Sequence, residues 1–376
     1  MNTDEKLKLI KRNTEEILTE ESLKTLIESG TPINHYIGFE ISGKIHLGTG
    51  LMCMSKVKDF IDAGVNCSVF LADWHSWIND KLGGDIKVIQ KVAVRYFEEG
   101  LKASLKCVGG DPEKIKFVLG SDLYHNNDDF WLTMIDVSKN TSLSRVERSI
   151  TIMGRKEGGK VDFAKLIYPP MQVADIFVQG INMPQAGLDQ RKAQVIGRDV
   201  AEKLSFKPLK DINGNVIKPS AVHHHLILGL GQPPEWPLPK ERMQELWSTL
   251  KMSKSKPDTC VFIHDSPEEI RRKMKKAFCP EGEAEFNPVL DWSKSLVFPI
   301  KGNLHVERPD KFGGNLDYNS YEDLEKDFIE KKLHPMDLKN GVAEAIIEIL
   351  DPARKHFEKP EIKEMLEEME QLIITR

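Results

Sequence analysis

The sequence predicts an α/β protein: a doubly wound parallel sheet, then a mostly helical C-terminal part. Three observations predict it. Short apolar runs at residues 67–72 and 115–119 read as parallel strands buried on both faces. Stretches with helical spacing separate them and give a β-α-β-α-β alternation. Past residue 265, helix-start signals replace strand signals.

Residues 3–30 read as helix, with Leu7, Ile10, Ile17, Leu18, Leu23 and Leu26 near helical spacing and Gly30 as the stop. His35–Glu40 reads as a strand entering a turn at Ser42-Gly43. His46-Leu47-Gly48-Thr49-Gly50 follows. Leu51–Ala63 then forms a helix with Leu51, Met54, Val57, Phe60 and Ile61 on one face. Strand, glycine turn and helix together aim backbone N–H groups and a positive helix end at a phosphate. Gly48 and Gly50 let a ring or phosphate come close to the backbone, and His46 is a candidate donor to it.

The strand at 67–72 ends in Asp73-Trp74-His75, where open α/β sheets bind ligands. A long helix spans 85–107, and Gly120-Ser121 ends the strand at 115–119. Residues 126–156 read as helical and polar; Arg145, Arg148 and Arg155 there form a surface face or a phosphate contact. Pro169 and Pro170 fit the first turn of a helix, with Tyr168 just before it. Gln172 and Asp175 share a face of that helix among Met171, Val173, Ala174 and Ile176. Buried polar groups need partners, so the pair caps internal loops or reads a polar ligand. Asp189-Gln190-Arg191-Lys192 opens the next helix, through Ile196, Val200 and Leu204.

Residues 205–220 read as a hairpin-like excursion, and 221–230 carry His223, His224 and His225. Consecutive strand side chains point to opposite faces, and no Cys or acid is spaced to complete a site, so no metal is expected. Residues 231–250 are a Pro-rich insertion with Trp236 and Trp247. Lys251-Met252-Ser253-Lys254-Ser255-Lys256 follows, and Pro257 blocks a regular helix. Such a basic loop suits an anion that must be held and released. Val261–His264 reads as a short strand. Asp265-Ser266-Pro267-Glu268-Glu269 is a helix start with a cap, a first-turn proline and early acids. Arg271, Arg272, Lys273, Lys275 and Lys276 make that helix basic, and further helices fall at 320–331, 335–356 and 359–370.

Of 376 residues, 40% are hydrophobic and 30% charged, the balance of a soluble chain of two or three domains. No run nears the ~18 apolar residues of a membrane span. Met1–Arg12 is polar and unlike a secretory leader, so the cytoplasm is the expected compartment. Cys53, Cys67, Cys107, Cys260 and Cys279 are scattered and read as reduced thiols. A net charge of −5 gives no overall pull toward nucleic acid and leaves local patches as the route to it.

The pair His46-Leu47-Gly48-Thr49 and Lys251-Met252-Ser253-Lys254-Ser255 resembles the HIGH and KMSKS motifs of class I aminoacyl-tRNA synthetases. KMSKS is complete, while Thr49 stands where HIGH has its second histidine. Tyr36-Ile-Gly-Phe-Glu40, Tyr168-Pro-x-Met-Gln172-Val-x-Asp175, Gln190-Arg191-Lys192 and His334-Pro-Met-Asp337-Leu-Lys339 resemble the tyrosyl-specific branch of archaeal/eukaryotic type. The likeness runs from about Glu15 to the last helix.

Helical spacing gives an N-terminal helical segment at 1–30; the resemblance adds the roles of the rest. It implies a Rossmann-like catalytic domain at 31–265, with an inserted helical region near 120–165, and a helical anticodon-binding domain at 266–376. It implies that Tyr36 and Asp175 bind a phenolic hydroxyl, and that Tyr168, Gln172 and Gln190 hold the amino group. His46, Gly48, Thr49, Gly50, Ser253 and Ser255 would contact ATP, brought with Mg2+. Lys251 and Lys254 would meet the departing pyrophosphate. Arg148, Arg191 and Lys192 match positions near the acceptor end of tRNA(Tyr), and Phe312, His334 and Asp337 those near the anticodon. A homodimer through about 110–180 is implied as well.

The chemistry needs no enzyme nucleophile. On that resemblance, a tyrosine carboxylate would attack the α-phosphorus of ATP, pyrophosphate would leave, and a ribose hydroxyl of tRNA would then attack the activated carbonyl. Positioning and cations carry such a reaction. Three alternatives stand beside it: a tryptophan-specific relative, a small-molecule nucleotidyltransferase, and a non-catalytic RNA-binding protein of this fold. Tyr36 with Asp175 speaks against tryptophan, because an indole offers one N–H donor.

Overall fold

A computed structural model of the chain describes residues 1–155, 162–236 and 249–372. Trp247, noted in the sequence, lies outside them. A six-stranded sheet carries the site, in the order β1-β6-β5-β2-β3-β4. Its strands are β1 (Thr14–Leu18), β2 (Asn34–Phe39), β3 (Asn66–Leu71), β4 (Ile115–Leu119), β5 (Met183–Gly187) and β6 (Ala221–His224). All pairings are parallel except that of β1 with β6 at the edge. From β2 the chain adds strands on one side and then on the other. The crevice beyond the carboxyl ends of β2 and β5 is therefore the switch point where such sheets hold ligands.

Alternation along β2 sorts its residues onto two apolar cores. Ile37 and Phe39 face a core that runs from Leu7 and Val57 to Trp292 and Val342 in the C-terminal half. Tyr36 faces the other, among Phe70, Tyr124, Met171 and Phe177.

The structure departs from the sequence reading in five places. β4 is an edge strand and not buried on both faces: Lys116 is exposed, and Phe117, Val118 and Leu119 are half-buried. Residues 3–30 are not one helix. They form Thr3–Lys11, then β1, then Glu20–Glu28. The buried Lys56 ammonium closes the first helix by binding the carbonyls of Leu9, Ile10 and Arg12. Asn13 then turns left-handed, and β1 pairs Ile17 with Val222. Periodicity could not see that pairing. Pro169 and Pro170 lie inside the helix Phe163–Val178, not at its first turn, and Tyr168 is within that helix. Packing of the neighbouring apolar residues, nearly all buried, overrides the proline signal. β5 reads Met-Pro-Gln-Ala-Gly and carries no strand signature, yet every residue in it is buried. Val261–His264 is not a strand. Its backbone makes a single bridge, Phe262 to His46, and braces the 45–47 turn.

The C-terminal half is mostly helical: Pro267–Lys275, Pro288–Trp292, Tyr321–Ile329, Pro335–Ile349, Asp351–Phe357 and Pro360–Glu370. Ser266 caps the first and Pro267 opens it, as the sequence indicated. A hairpin of β7 (Leu304–Val306) and β8 (Leu316–Tyr318) interrupts the helices.

Candidate active site

A cleft of about 330 Å³ opens at the switch point. It brings together Tyr36, His46, Gly48, Thr49, Tyr168, Gln172, Asp175, Gln190, Lys251, Ser253 and Lys254. Two of the residues expected to contact ATP do not line it. Gly50 sits behind the wall, where an added Cβ would meet Ser104 Oγ at 2.7 Å and Ile263 Cγ2 at 2.8 Å. Its glycine serves close packing of the turn. Ser255 is exposed, with its hydroxyl 3.0 Å from that of Ser253.

The deep end of the cleft is a buried polar recess. The Tyr124 hydroxyl donates to Asp175 Oδ1 at 3.0 Å. His75 Nε2 stands 3.7 Å from Asp175 Oδ2, and burial lowers the His75 ring to about 3, so it faces the carboxyl as a neutral group. Burial pushes the Asp175 carboxyl well above the usual carboxylate range, and the Tyr124 bond partly offsets this. Tyr36 is 2% exposed, and burial followed by the Asp175 charge holds its phenol strongly protonated. The recess thus offers one carboxyl and phenolic hydroxyls to a polar group arriving at the end of an apolar body.

At mid-cleft the groups suit an ammonium. Gln172 Oε1 and Gln194 Oε1 are buried acceptors without a hydrogen-bond partner among the described residues. A buried amide oxygen left alone is costly unless a ligand meets it. Gln172 Nε2 donates to Gln190 Oε1 at 3.4 Å, and Gln190 Nε2 donates to the Ile152 carbonyl at 2.8 Å, so both amides are oriented. The Tyr168 hydroxyl donates to Glu40 Oε1 at 2.9 Å, and Lys81 Nζ stands 3.3 Å from Glu40 Oε2.

At the mouth lie the HLGT turn and the lysine loop. His46 Nδ1 accepts from the Gly48 and Thr49 N–H groups at 3.1 and 3.3 Å. The expectation was that those amides would face a phosphate; here the histidine takes both. With Nδ1 an acceptor, the proton sits on Nε2. Nε2 lies 3.3 Å from the Thr49 hydroxyl, so threonine supplies the second polar hydrogen of the turn. Burial, then the charges of Lys254 and Lys251, lower His46 to about 3 and keep it neutral. Lys254 Nζ donates to the Ser42 hydroxyl. Burial, then Lys81, lowers its ammonium to about 8. Lys251 Nζ pairs with Asp189 Oδ2 at 2.5 Å.

Two side chains of the candidate site escaped the sequence reading, Tyr124 and Gln194, as did the place of His75 against Asp175 and the Tyr168–Glu40 hydrogen bond. His75 had a signal, its position after a strand. Tyr124 and Gln194 had none, since each looks like an ordinary helix residue.

The histidine run serves three ends. His223 Nδ1 lies 3.0 Å from Glu16 Oε2, and His224 Nδ1 lies 3.2 Å from Gln185 Nε2. His225 joins Glu15 and Asp291 at 2.6 and 2.7 Å. Outside the cleft, Arg148, Arg191 and Lys192 line a shallow depression with Arg145. There Arg191 grips Glu16 at 2.8 Å, and Lys192 Nζ donates to the Arg148 carbonyl at 2.7 Å. Phe312 is exposed. His334 caps the helix Pro335–Ile349, which holds Asp337 in its first turn. Arg308 ties the loop near Phe312 to the Lys332 carbonyl, close to His334.

Comparison with known proteins places the chain in a family. Residues 28–351 match the class I tRNA synthetases (W and Y). The tyrosine–tRNA ligase of Thermococcus sibiricus is 58% identical over the whole of both chains. The crystal structure of tyrosyl-tRNA synthetase from Pyrococcus horikoshii, complexed with L-tyrosine, superposes with a TM-score of 0.94 at 56% identity and covers 98% of this chain and 100% of that one. Tyrosyl-tRNA synthetase from Aeropyrum pernix superposes with a TM-score of 0.82 at 42% identity, over 98% and 99%. The chain belongs to the class I tRNA synthetase family that acts on W and Y.

Proposed function

We propose that this chain is a tyrosine–tRNA ligase: it activates tyrosine with ATP and transfers it to the 3′ end of tRNA(Tyr). The observation that carries the reading is the buried recess of Tyr36 and Asp175, the carboxyl held from behind by Tyr124, at the end of a cleft whose mouth holds the HLGT turn and the lysine loop. The high identity to relatives named tyrosine–tRNA ligase supports it.

The phenol enters the recess and hydrogen-bonds Asp175 and Tyr36. The ammonium meets Gln172 Oε1 beside Tyr168 and Gln190. Mg·ATP enters as a substrate complex. Tyrosine carboxylate attacks the α-phosphorus, and the bond to the bridging oxygen of pyrophosphate breaks. Lys251 and Lys254 meet charge as it builds on the leaving group, and His46 Nε2–H with the Thr49 hydroxyl binds phosphate oxygens. A ribose hydroxyl of tRNA then displaces AMP from the carbonyl. Arg148, Arg191 and Lys192 receive the acceptor end. Phe312, His334 and Asp337, in an anticodon-binding unit at 266–376, meet the anticodon. The enzyme works in the cytoplasm as a homodimer.

Amino-acid-dependent exchange of labelled pyrophosphate into ATP, run with all twenty amino acids, tests the reading. Exchange with tyrosine alone is expected. Exchange with tryptophan and none with tyrosine would sink it.

A further inference from the structure

The segment 227–229 is extended and held along both edges, and the two edges belong to different parts of the chain. On one edge, the Ile227 carbonyl accepts from Met252 N and Gly229 N donates to the Leu250 carbonyl, both at 2.8 Å. That edge carries the lysine loop, with Leu228 bridged to Lys251. On the other edge, Leu228 N donates to Asp291 Oδ2 at 2.8 Å, and Trp292 Nε1 donates to the Leu228 carbonyl at 2.8 Å. Backbone groups of successive residues in an extended chain point to opposite sides, which is why one residue serves the helix and its neighbours serve the loop.

We propose that Asp291 and Trp292, in the C-terminal half, are positioning residues for the lysine loop: they fix Leu228, and through 227–229 they set where Lys251 stands over the cleft.

The pair is built to hold still. Trp292 is fully buried, so its indole N–H has a fixed direction. Asp291 is clamped from its other oxygen by His225 Nε2 at 2.7 Å, and the same ring reaches Glu15 through Nδ1. Burial lowers the ring, but Asp291 and then Glu15 together outweigh it, raise it to about 10 and keep it charged. Asp291 therefore has both oxygens engaged and one orientation. Ile227 and His225 also line the cleft, so a shift of this segment moves the wall as well as the loop. A catalytic cation misplaced by a fraction of its bond length loses transition-state contact while ground-state binding of the amino acid, made deeper in the cleft, is untouched.

The proposal rests on the reading that Lys251 acts on the phosphates of ATP. Tyrosine-dependent exchange by the wild-type enzyme tests that reading first, and the variants are judged against it. Asp291→Ala is expected to lower kcat for exchange on the order of tenfold, with KM for tyrosine unchanged. Trp292→Phe keeps an aromatic ring but loses the N–H and the second ring of the indole; it is expected to lose kcat to a smaller degree in the same direction. Asp291→Asn keeps an oxygen for Leu228 N–H and is expected to recover most of the loss. A double-mutant cycle with Lys251→Ala gives the decisive readout: with that lysine gone, Asp291→Ala should cost little more. Full additivity of the two losses would overturn the proposal. So would unchanged kcat in soluble, folded Trp292→Phe, or a KM for tyrosine that rises with kcat intact. Should Asp291→Ala fail to fold, Trp292→Phe carries the same cycle.

Discussion

The Tyr124 hydroxyl donates to Asp175 Oδ1 at 3.0 Å, from a helix of its own (Gly120–Tyr124) to the buried face of Phe163–Val178. This bond aims the carboxyl that is to read a phenol. It is also the contact that works against burial in keeping Asp175 ionisable.

Tyr124→Phe should therefore weaken tyrosine and spare ATP. Loss of one hydrogen bond to a buried charged group costs about 1.5–3 kcal/mol. We expect kcat/KM for tyrosine in pyrophosphate exchange to fall on the order of ten- to a hundredfold, with KM for ATP unchanged. An equal rise in both KM values would remove Tyr124 from the site.

The pH dependence should come from Lys254. Its ammonium is lowered to about 8 by burial and by Lys81, so in the free enzyme it is charged below about 8 and loses its proton as the pH rises through that value. kcat/KM for ATP is expected to fall above about pH 8. Bound phosphate favours the charged form, so the same limb in kcat should lie at higher pH. Lys254→Arg, charged throughout, should lose the limb; a limb that survives in Lys254→Arg belongs to another group.

Gly50 is assigned here to packing and not to the ligand. Gly50→Ala drives a methyl against Ser104, Ile263 and Ile45. Overpacking of this kind costs about 1–3 kcal/mol, to be read from urea denaturation. Unchanged stability with lost ATP binding would restore Gly50 to the phosphate site.

Much of the site was legible because its chemistry shows in residue type. Three lysines in a Ser-rich loop cannot be core, and a Gln and an Asp on an apolar helix face must have partners. Less legible was everything that depends on which elements meet. Tyr124 reaches Asp175 only because segments 51 residues apart in the sequence meet there. β5 hides its strand nature behind Pro184 and Gln185, and Gln185 is tolerated inside because His35 and His224 satisfy its amide. β1 exists only by pairing with β6. The parallel strand β3 was plain, since burial shows as a mostly apolar run; β4 was legible as a strand, but its place at the sheet edge, with Lys116 exposed, was not.

Selectivity for a hydroxyl follows from leaving buried polar groups unpaired when the hydroxyl is missing, a rule itself drawn from tyrosine-selecting synthetases. The ratio of kcat/KM for tyrosine over phenylalanine, measured by pyrophosphate exchange in wild type and Asp175→Ala, tests this most directly. The ratio should be large in the wild type and collapse toward unity in the variant, with KM for ATP little changed. A variant that loses both amino acids equally and keeps the wild-type ratio would contradict the role given to Asp175.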